Sequence, residues 1–143
     1  EMIGSQKVIG MHKILLSFVV VLVLAGCGKS KPVSHEGEIA GKAAAQYYSY
    51  LQHGNIKAFV DGTYFSKPIP KSYRALLEKN ATTFAGEQDS LHKGIKTVKV
   101  SRADVMKNDT TLAAVYLQLA FGDNTSEEVL VPMIKRKGVW YMK

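Results

Sequence analysis

Cysteine is all but missing from this chain: Cys27 is the only one in 143 residues. A lone cysteine excludes an internal disulfide and a zinc-thiolate site, so the fold must rest on ordinary burial. No apolar run reaches the roughly 20 residues that a membrane-spanning helix needs. Acidic residues are also short, 12 against 19 lysines and arginines, for a net charge of +7. Such a balance suits nucleic acid, anionic lipid or simple solubility. The lysines are scattered (Lys42, Lys57, Lys67, Lys71, Lys79) and no aromatics interleave them into a stacking platform, which argues against nucleic acid. Lys135-Arg136-Lys137 is the one basic run. Preceding Gly138, it reads as a solvated hairpin tip near an anionic membrane or another acidic partner.

What the amino end does contain is ordered. Lys7 and Lys13 supply positive charge, and Ile14 to Gly26 is apolar or small throughout except for Ser17. That length suits the core of a signal peptide. The ending Leu24-Ala25-Gly26-Cys27 resembles the lipobox of bacterial lipoprotein signal peptides. The resemblance implies a diacylglyceryl group on the Cys27 thiol, cleavage between Gly26 and Cys27, and acylation of the new amino terminus. Each buried CH₂ contributes about 0.8 kcal/mol, and two or more chains give stable anchoring. The competing reading is a buried cysteine closing a core helix. Translation from Met2 or from Met11 leaves the same mature chain.

The organisation expected is therefore a removed leader over 1–26, a lipidated cysteine with a flexible tether over 27–37, and one domain over 38–143. The stretch "GKSKPVSHEG" (28–37) has no apolar periodicity. It reaches about 35 Å fully extended and on the order of 18 Å as a coil. His35 falls in this tether and reads as a solvated histidine.

Ala40, Ala43, Ala44, Tyr47 and Leu51 repeat at helical spacing, and Gly54 can end that helix. Asn55 can cap a short second helix carrying Ile56, Phe59 and Val60. After "YFSKPIP", a third helix is predicted from about Lys71 to near Gly86, with Asn80 inside it. Beyond Gly94 the period becomes 2. Strands are predicted from Val98 to about Met106, through Ala113–Phe121 as a central strand covered on both faces, through Val129–Met133, and over "VWYMK". Pro132 requires an edge or a bulge. Asn108 and Asn124 fall in turns. Helices first and hairpins after them argue an α+β fold, with amino-terminal helices packed on a curved four-stranded antiparallel sheet.

This order, with the closing Gly138-Val139-Trp140, resembles the nuclear transport factor 2-like roll, and more narrowly the small bacterial lipoproteins that carry such a domain behind a lipobox. The resemblance covers about residues 38–143. It implies a conical cavity between helices and sheet. In enzymes of this fold the cavity holds an acid/base carboxylate and a hydrogen-bonding tyrosine; other members bind ligands or assemble.

Tyr50, Tyr64, Asp104 and Tyr116 are the candidate cavity-lining residues here, with Asp61 a further carboxylate. Asp104 follows Val98, Val100 and Arg102 at period 2, so without a bulge all four share a face. Arg102, about 7 Å along the strand, then holds Asp104 ionised, against the raised pKa that acid–base work needs. Tyr47, Tyr48 and Tyr50 cannot all face inward on one helix. His53 suits the carboxyl end of the first helix, and His92 reads as part of the loop before the first strand. Neither has a metal-ligating partner at helical spacing, and no serine sits in a nucleophile elbow, so no cofactor and no metal is expected.

The reading is a lipoprotein on the outer side of a bacterial membrane that binds a small ligand or an envelope protein without catalysis. Gly28, where some enteric bacteria place a retention aspartate, leans toward the outer membrane facing the periplasm in a Gram-negative host. The alternatives are a small isomerase or dehydratase, and a structural module that pairs with itself as a homodimer.

Overall fold

A computed structural model of the protein describes residues 33–143, which form a compact unit of their own. The leader, Gly26, Cys27 and most of the predicted tether lie outside the described residues. Helices α1 (His35–Gln52), α2 (Ile56–Asp61) and α3 (Lys71–His92) come first. They precede strands β1 (Ile95–Val105), β2 (Leu112–Phe121), β3 (Ser126–Arg136) and β4 (Val139–Met142). The strands pair antiparallel in the order β1-β2-β3-β4, in a curved, unclosed sheet. The α+β architecture expected from the change of period is the one observed.

Three boundaries differ from expectation. The first helix begins at His35, inside the stretch expected to be tether, because Ser34 caps it: the Ser34 hydroxyl accepts from Gly37 N at 3.0 Å. Glu36 and Glu38 in the first turn complement the helix dipole. The third helix does not stop at Gly86 but continues to His92, so His92 is helical rather than in a loop. An interior glycine costs only about 1 kcal/mol. The helix ends where Lys93 and Gly94 take positive φ (61° and 79°) and Gly94 N donates to Gln88 O at 3.0 Å. The first strand correspondingly starts at Ile95 rather than Val98.

Asn80 is in α3, and Asn108 and Asn124 are in turns, Asn124 with a φ of 69°. Pro132 sits in unbroken register with Ala114, so it is no bulge. Its carbonyl accepts from Lys143 N at 2.9 Å, on the side where β4 runs out. The missing N–H faces that same side, so the proline forgoes only the bond that would answer the one from Lys143, while its pairing with β2 is intact.

The core lies between α1 and one face of the sheet. Val115, Leu117, Leu119 and Phe121 of β2 point to it, with Val131 and Met133 of β3 and Trp140 and Met142 of β4. Ala40 and Ala44, both fully buried, bring α1 close against them. Each large side chain removed from water there contributes roughly 2 kcal/mol. The other face of β2 is only half-buried, so β2 is central, as expected, but covered on one face rather than two. α3 is long yet mostly exposed, with Ala81 its one buried residue. The sheet gains a short fifth element where Gly62–Tyr64 runs beside β4: Met142 N donates to Gly62 O, and Tyr64 N to Met142 O, each at 2.7 Å.

Candidate ligand-binding site

The pairing of β1 with β2 decides where the predicted residues point. Val98 lies opposite Leu119 and Val100 opposite Leu117, on the core face. The register then shifts between Val100 and Arg102, placing Arg102 opposite Tyr116, Ala103 opposite Val115 and Asp104 opposite Ala114. Ser101 is the extra residue of a β-bulge. Arg102 and Asp104 are thereby turned away from Val98 and Val100 and onto the outer face.

Asp104 and Tyr116 are therefore not in the space between the helices and the sheet. On the outer face Asp104 Oδ2 pairs with Arg102 Nε at 2.9 Å, and the Arg102 guanidinium covers the Tyr116 ring at 4.1 Å. The Asp/Arg ion pair expected from the sequence is present, although the shared face with the valines is not. The single Ser101 hydroxyl proton is shared between Tyr116 O at 3.0 Å and Glu128 Oε2 at 2.8 Å, which ties the bulge across the outer face.

The space directly beneath α1 is packed rather than open. A Cβ on Gly41 would stand 3.1 Å from Val100 Cγ1 and 3.5 Å from Ala103 Cβ, so the helix already touches the strand there. Farther along, a shallow groove remains between the outer side of α1 and the edge of β1, floored by Val98 and Val100 and walled by Lys42, Gln46, Ser49 and Gln52. None of the four candidate residues lines it.

A deeper recess of about 650 Å³ lies to one side, between the segment that joins α2 to α3 and the β3–β4 hairpin. Of the four candidates, Tyr64 lines it; Tyr50, on α1 and half-buried, does not. Thr63 is held against Met142 by the backbone bridge, and this fixes Tyr64 opposite Tyr141, ring centroids 5.9 Å apart. Arg136 places its guanidinium 5.5 Å from the Tyr64 ring centre. Lys67 and Lys137 stand at the walls, and Val60, Phe65 and Ile69 supply apolar lining.

Asp61 is at the same rim, but Arg74 holds it: Nη2 meets Asp61 Oδ1 at 2.5 Å, and Nε meets Glu78 Oε2 at 2.9 Å. The Asp61 carboxylate first, and Glu78 after it, keep the Arg74 guanidinium charged beyond its ordinary range. With Arg74 neutralised, the free charge of the recess comes from Lys67, Arg136 and Lys137. Two aromatic rings beside cations suit an anionic group carrying an apolar or planar body.

Sequence reasoning found Tyr64 and the basic run but did not join them. The signal was the pair "YFSKPIP" and "KRKG", two loops separated by most of the domain, and only the Thr63–Met142 bridge brings them together.

A second polar cluster closes the opposite end of the domain. His92 Nδ1 lies 2.9 Å from Asp123 Oδ2, and its ring stacks on Phe121 at 4.8 Å. Thr125 donates to Asp123 through its hydroxyl at 2.5 Å and its amide at 3.0 Å. The Thr125 hydroxyl first, and the His92 imidazole next, hold the Asp123 carboxyl down at about 2. This cluster ties the end of α3 to the β2–β3 turn.

No family model matches the chain, and no curated protein matches it. Solved structures do. One is described as an NTF2-like transpeptidase from Campylobacter jejuni, at a TM-score of 0.57 and 14% identity, covering 69% of this chain and 92% of that one. Another is Aln2 from a Streptomyces species, at a TM-score of 0.51 and 10% identity, covering 78% and 88%. Identities this low carry the fold alone. The described domain has the NTF2-like fold.

Proposed function

We propose that this chain is a bacterial lipoprotein, anchored through acyl chains on Cys27, whose NTF2-like domain binds an anionic small ligand without catalysis. The observation that carries the binding half is the recess itself: Tyr64 and Tyr141 face each other beside Lys67, Arg136 and Lys137, with Arg74 already spent on Asp61. The NTF2-like scaffold admits both binders and enzymes. A general acid or base needs a carboxyl desolvated away from cations. Asp104 and Asp61 are each paired with an arginine and more than half exposed, which favours binding.

The anchoring half rests on the order of charge, apolar run, small residues and cysteine at the amino end. It places the domain in the cell envelope, and in a Gram-negative host on the outer membrane facing the periplasm.

Two measurements test the halves separately. Cells fed an alkyne fatty acid should label the full chain, and Cys27→Ser should abolish the label; labelling that survives the substitution would remove the anchor. Native mass spectrometry of residues 33–143 purified from the host should show an adduct of defined mass, lost on Tyr64→Ala and Arg136→Gln. A clean apo mass would sink the ligand reading, and a dimer mass would favour self-pairing.

A further inference from the structure

The end of the domain from which the preceding chain emerges is both basic and apolar. Val33 packs beside Gly37, and Gly37 lies against Ala103 near the end of β1. Glu36 Oε1 meets Lys135 Nζ at 2.6 Å, which pins the start of α1 to the base of the β3–β4 hairpin. The β1–β2 turn reaches the same pole, since Met106 N donates to Leu112 O and Lys135 N to Thr111 O. Three large apolar side chains stand in water there: Val33 at 51%, Met106 at 37% and Val139 at 45% exposure.

Cations stand around them. Lys107 is at one hairpin tip and Arg136 and Lys137 at the other, and none of the three joins an ion pair among the described residues. Two acids at this pole are paired with lysines, and a third, Asp109, keeps its charge while held by Thr111. Lys135 takes Glu36, and Lys42 takes Glu38 at 3.0 Å. Asp109 accepts from the Thr111 amide and hydroxyl at 3.0 and 2.5 Å. At the opposite pole Lys93 and Lys96 are outnumbered by Asp89, Asp123 and Glu127. Lys57, Lys79 and Lys99 carry further positive charge on α2, α3 and β1, so what marks this pole is the set of exposed apolar side chains standing among its unpaired cations.

We infer that this pole is a docking surface for an anionic phospholipid bilayer, with Val33, Met106 and Val139 entering the interface and Lys107, Arg136 and Lys137 meeting headgroup phosphates. The inference rests on the anchored reading above. From Cys27 the chain to Val33 spans at most about 20 Å, so an anchored domain keeps this pole within reach of the headgroups. Apolar side chains ringed by lysine and arginine have the chemistry of an interfacial contact. Docking would stand the domain on its hairpin tips, with the His92–Asp123 end outward.

The test uses residues 33–143, which contain the whole core. They are sedimented with vesicles of phosphatidylcholine alone, and of phosphatidylcholine with an equal share of phosphatidylglycerol. Binding is expected to the anionic vesicles only, weakening as salt is raised. Lys107→Gln and Lys137→Gln should each weaken it about fivefold, and Lys96→Gln at the far pole should leave it unchanged. Equal binding to both vesicles, no binding to either, or an equal loss from Lys96→Gln would overturn the proposal. Loss on Tyr64→Ala with none on Lys107→Gln would move binding into the recess and overturn it as well. Because this domain lacks Cys27, its result stands apart from the labelling experiment on the anchor.

Discussion

Val100 and Ala103 are three residues apart on β1, and both face α1. The would-be Cβ of Gly41 sees the two side chains at 3.1 and 3.5 Å. Residues three apart on a regular strand point to opposite faces, so the extra residue, Ser101, is what allows it.

This arrangement separates two deletions. Removing Ser101 leaves Val100 and Ala103 facing inward on a regular strand and Arg102 and Asp104 facing outward. The cost should be about 1 kcal/mol, for the hydrogen bonds of its exposed hydroxyl. Removing Lys99 instead turns Val98 away from Leu119 and should cost at least about 2 kcal/mol. Urea unfolding of the two variants checks this; equal losses would mean that the bulge does not set the phase of the strand.

Gly62 marks a close approach. An added Cβ would stand 2.5 Å from Tyr47 Cδ1, and the Tyr47 hydroxyl donates to Trp140 O at 2.6 Å. Gly62→Ala should therefore destabilise by about 1–3 kcal/mol, and Tyr47→Phe by about 1 kcal/mol. The double variant should lose less than the sum, because both act on one ring. Burial first, and the neighbouring Tyr141 next, raise the Tyr47 pKa above that of an ordinary tyrosine. Alkaline absorbance titration should show a late-ionising tyrosine that Tyr47→Phe removes.

Burial predicts the contrast between two leucines. Leu117 is fully buried between β1 and β3 beneath α1, whereas Leu91 of α3 is 70% exposed. Leu117→Ala should cost about 2–5 kcal/mol, in the range typical of core truncations, and Leu91→Ala should stay within about 0.5 kcal/mol. A comparable loss from Leu91→Ala, read from denaturant midpoints, would mean that α3 is covered by something in solution.

Acid should act through Asp123. Its carboxyl lies at about 2 in the folded chain against an ordinary 3.8. A lowered folded pKa gives stability that is fully present above the unfolded value and is lost as pH falls from 3.8 through about 2. Asp123→Asn should lower stability at neutral pH and flatten the curve across that window, with the two chains converging at its acid end. Thermal melts along an acid pH series check it; parallel curves would show that Asp123 does not contribute to the acid dependence.

Much of the fold was legible because it depends on local periodicity. Alanines and Tyr47 at helical spacing mark α1, and alternation from Ala113 to Phe121 marks β2. Ser34 as a cap was also readable, yet its stretch looked like tether because Gly, Ser and Pro outweigh one capping side chain by composition. Gly86 read as a stop for a similar reason, although a single glycine is a small cost in a helix of 22 residues.

The site was less legible. Tyr64 was singled out, but Tyr141, Lys67 and Arg136 join it only through a backbone bridge across the sheet edge. Asp104 and Tyr116 were expected beneath the helix; a single inserted residue in β1 put Asp104 on the other side, and plain alternation with the buried Val115 and Leu117 puts Tyr116 there. By itself the sequence determined the order of elements, the Asn55 cap of α2 and the basic hairpin, since each follows from neighbours a few residues apart. The tertiary structure alone decided which face each β1 side chain takes, that β2 is covered on one face only, which loops meet, and that the basic tips share a pole with the start of α1. Strand phase is set by pairing with a distant strand, and a one-residue shift in that pairing reverses every side chain beyond it.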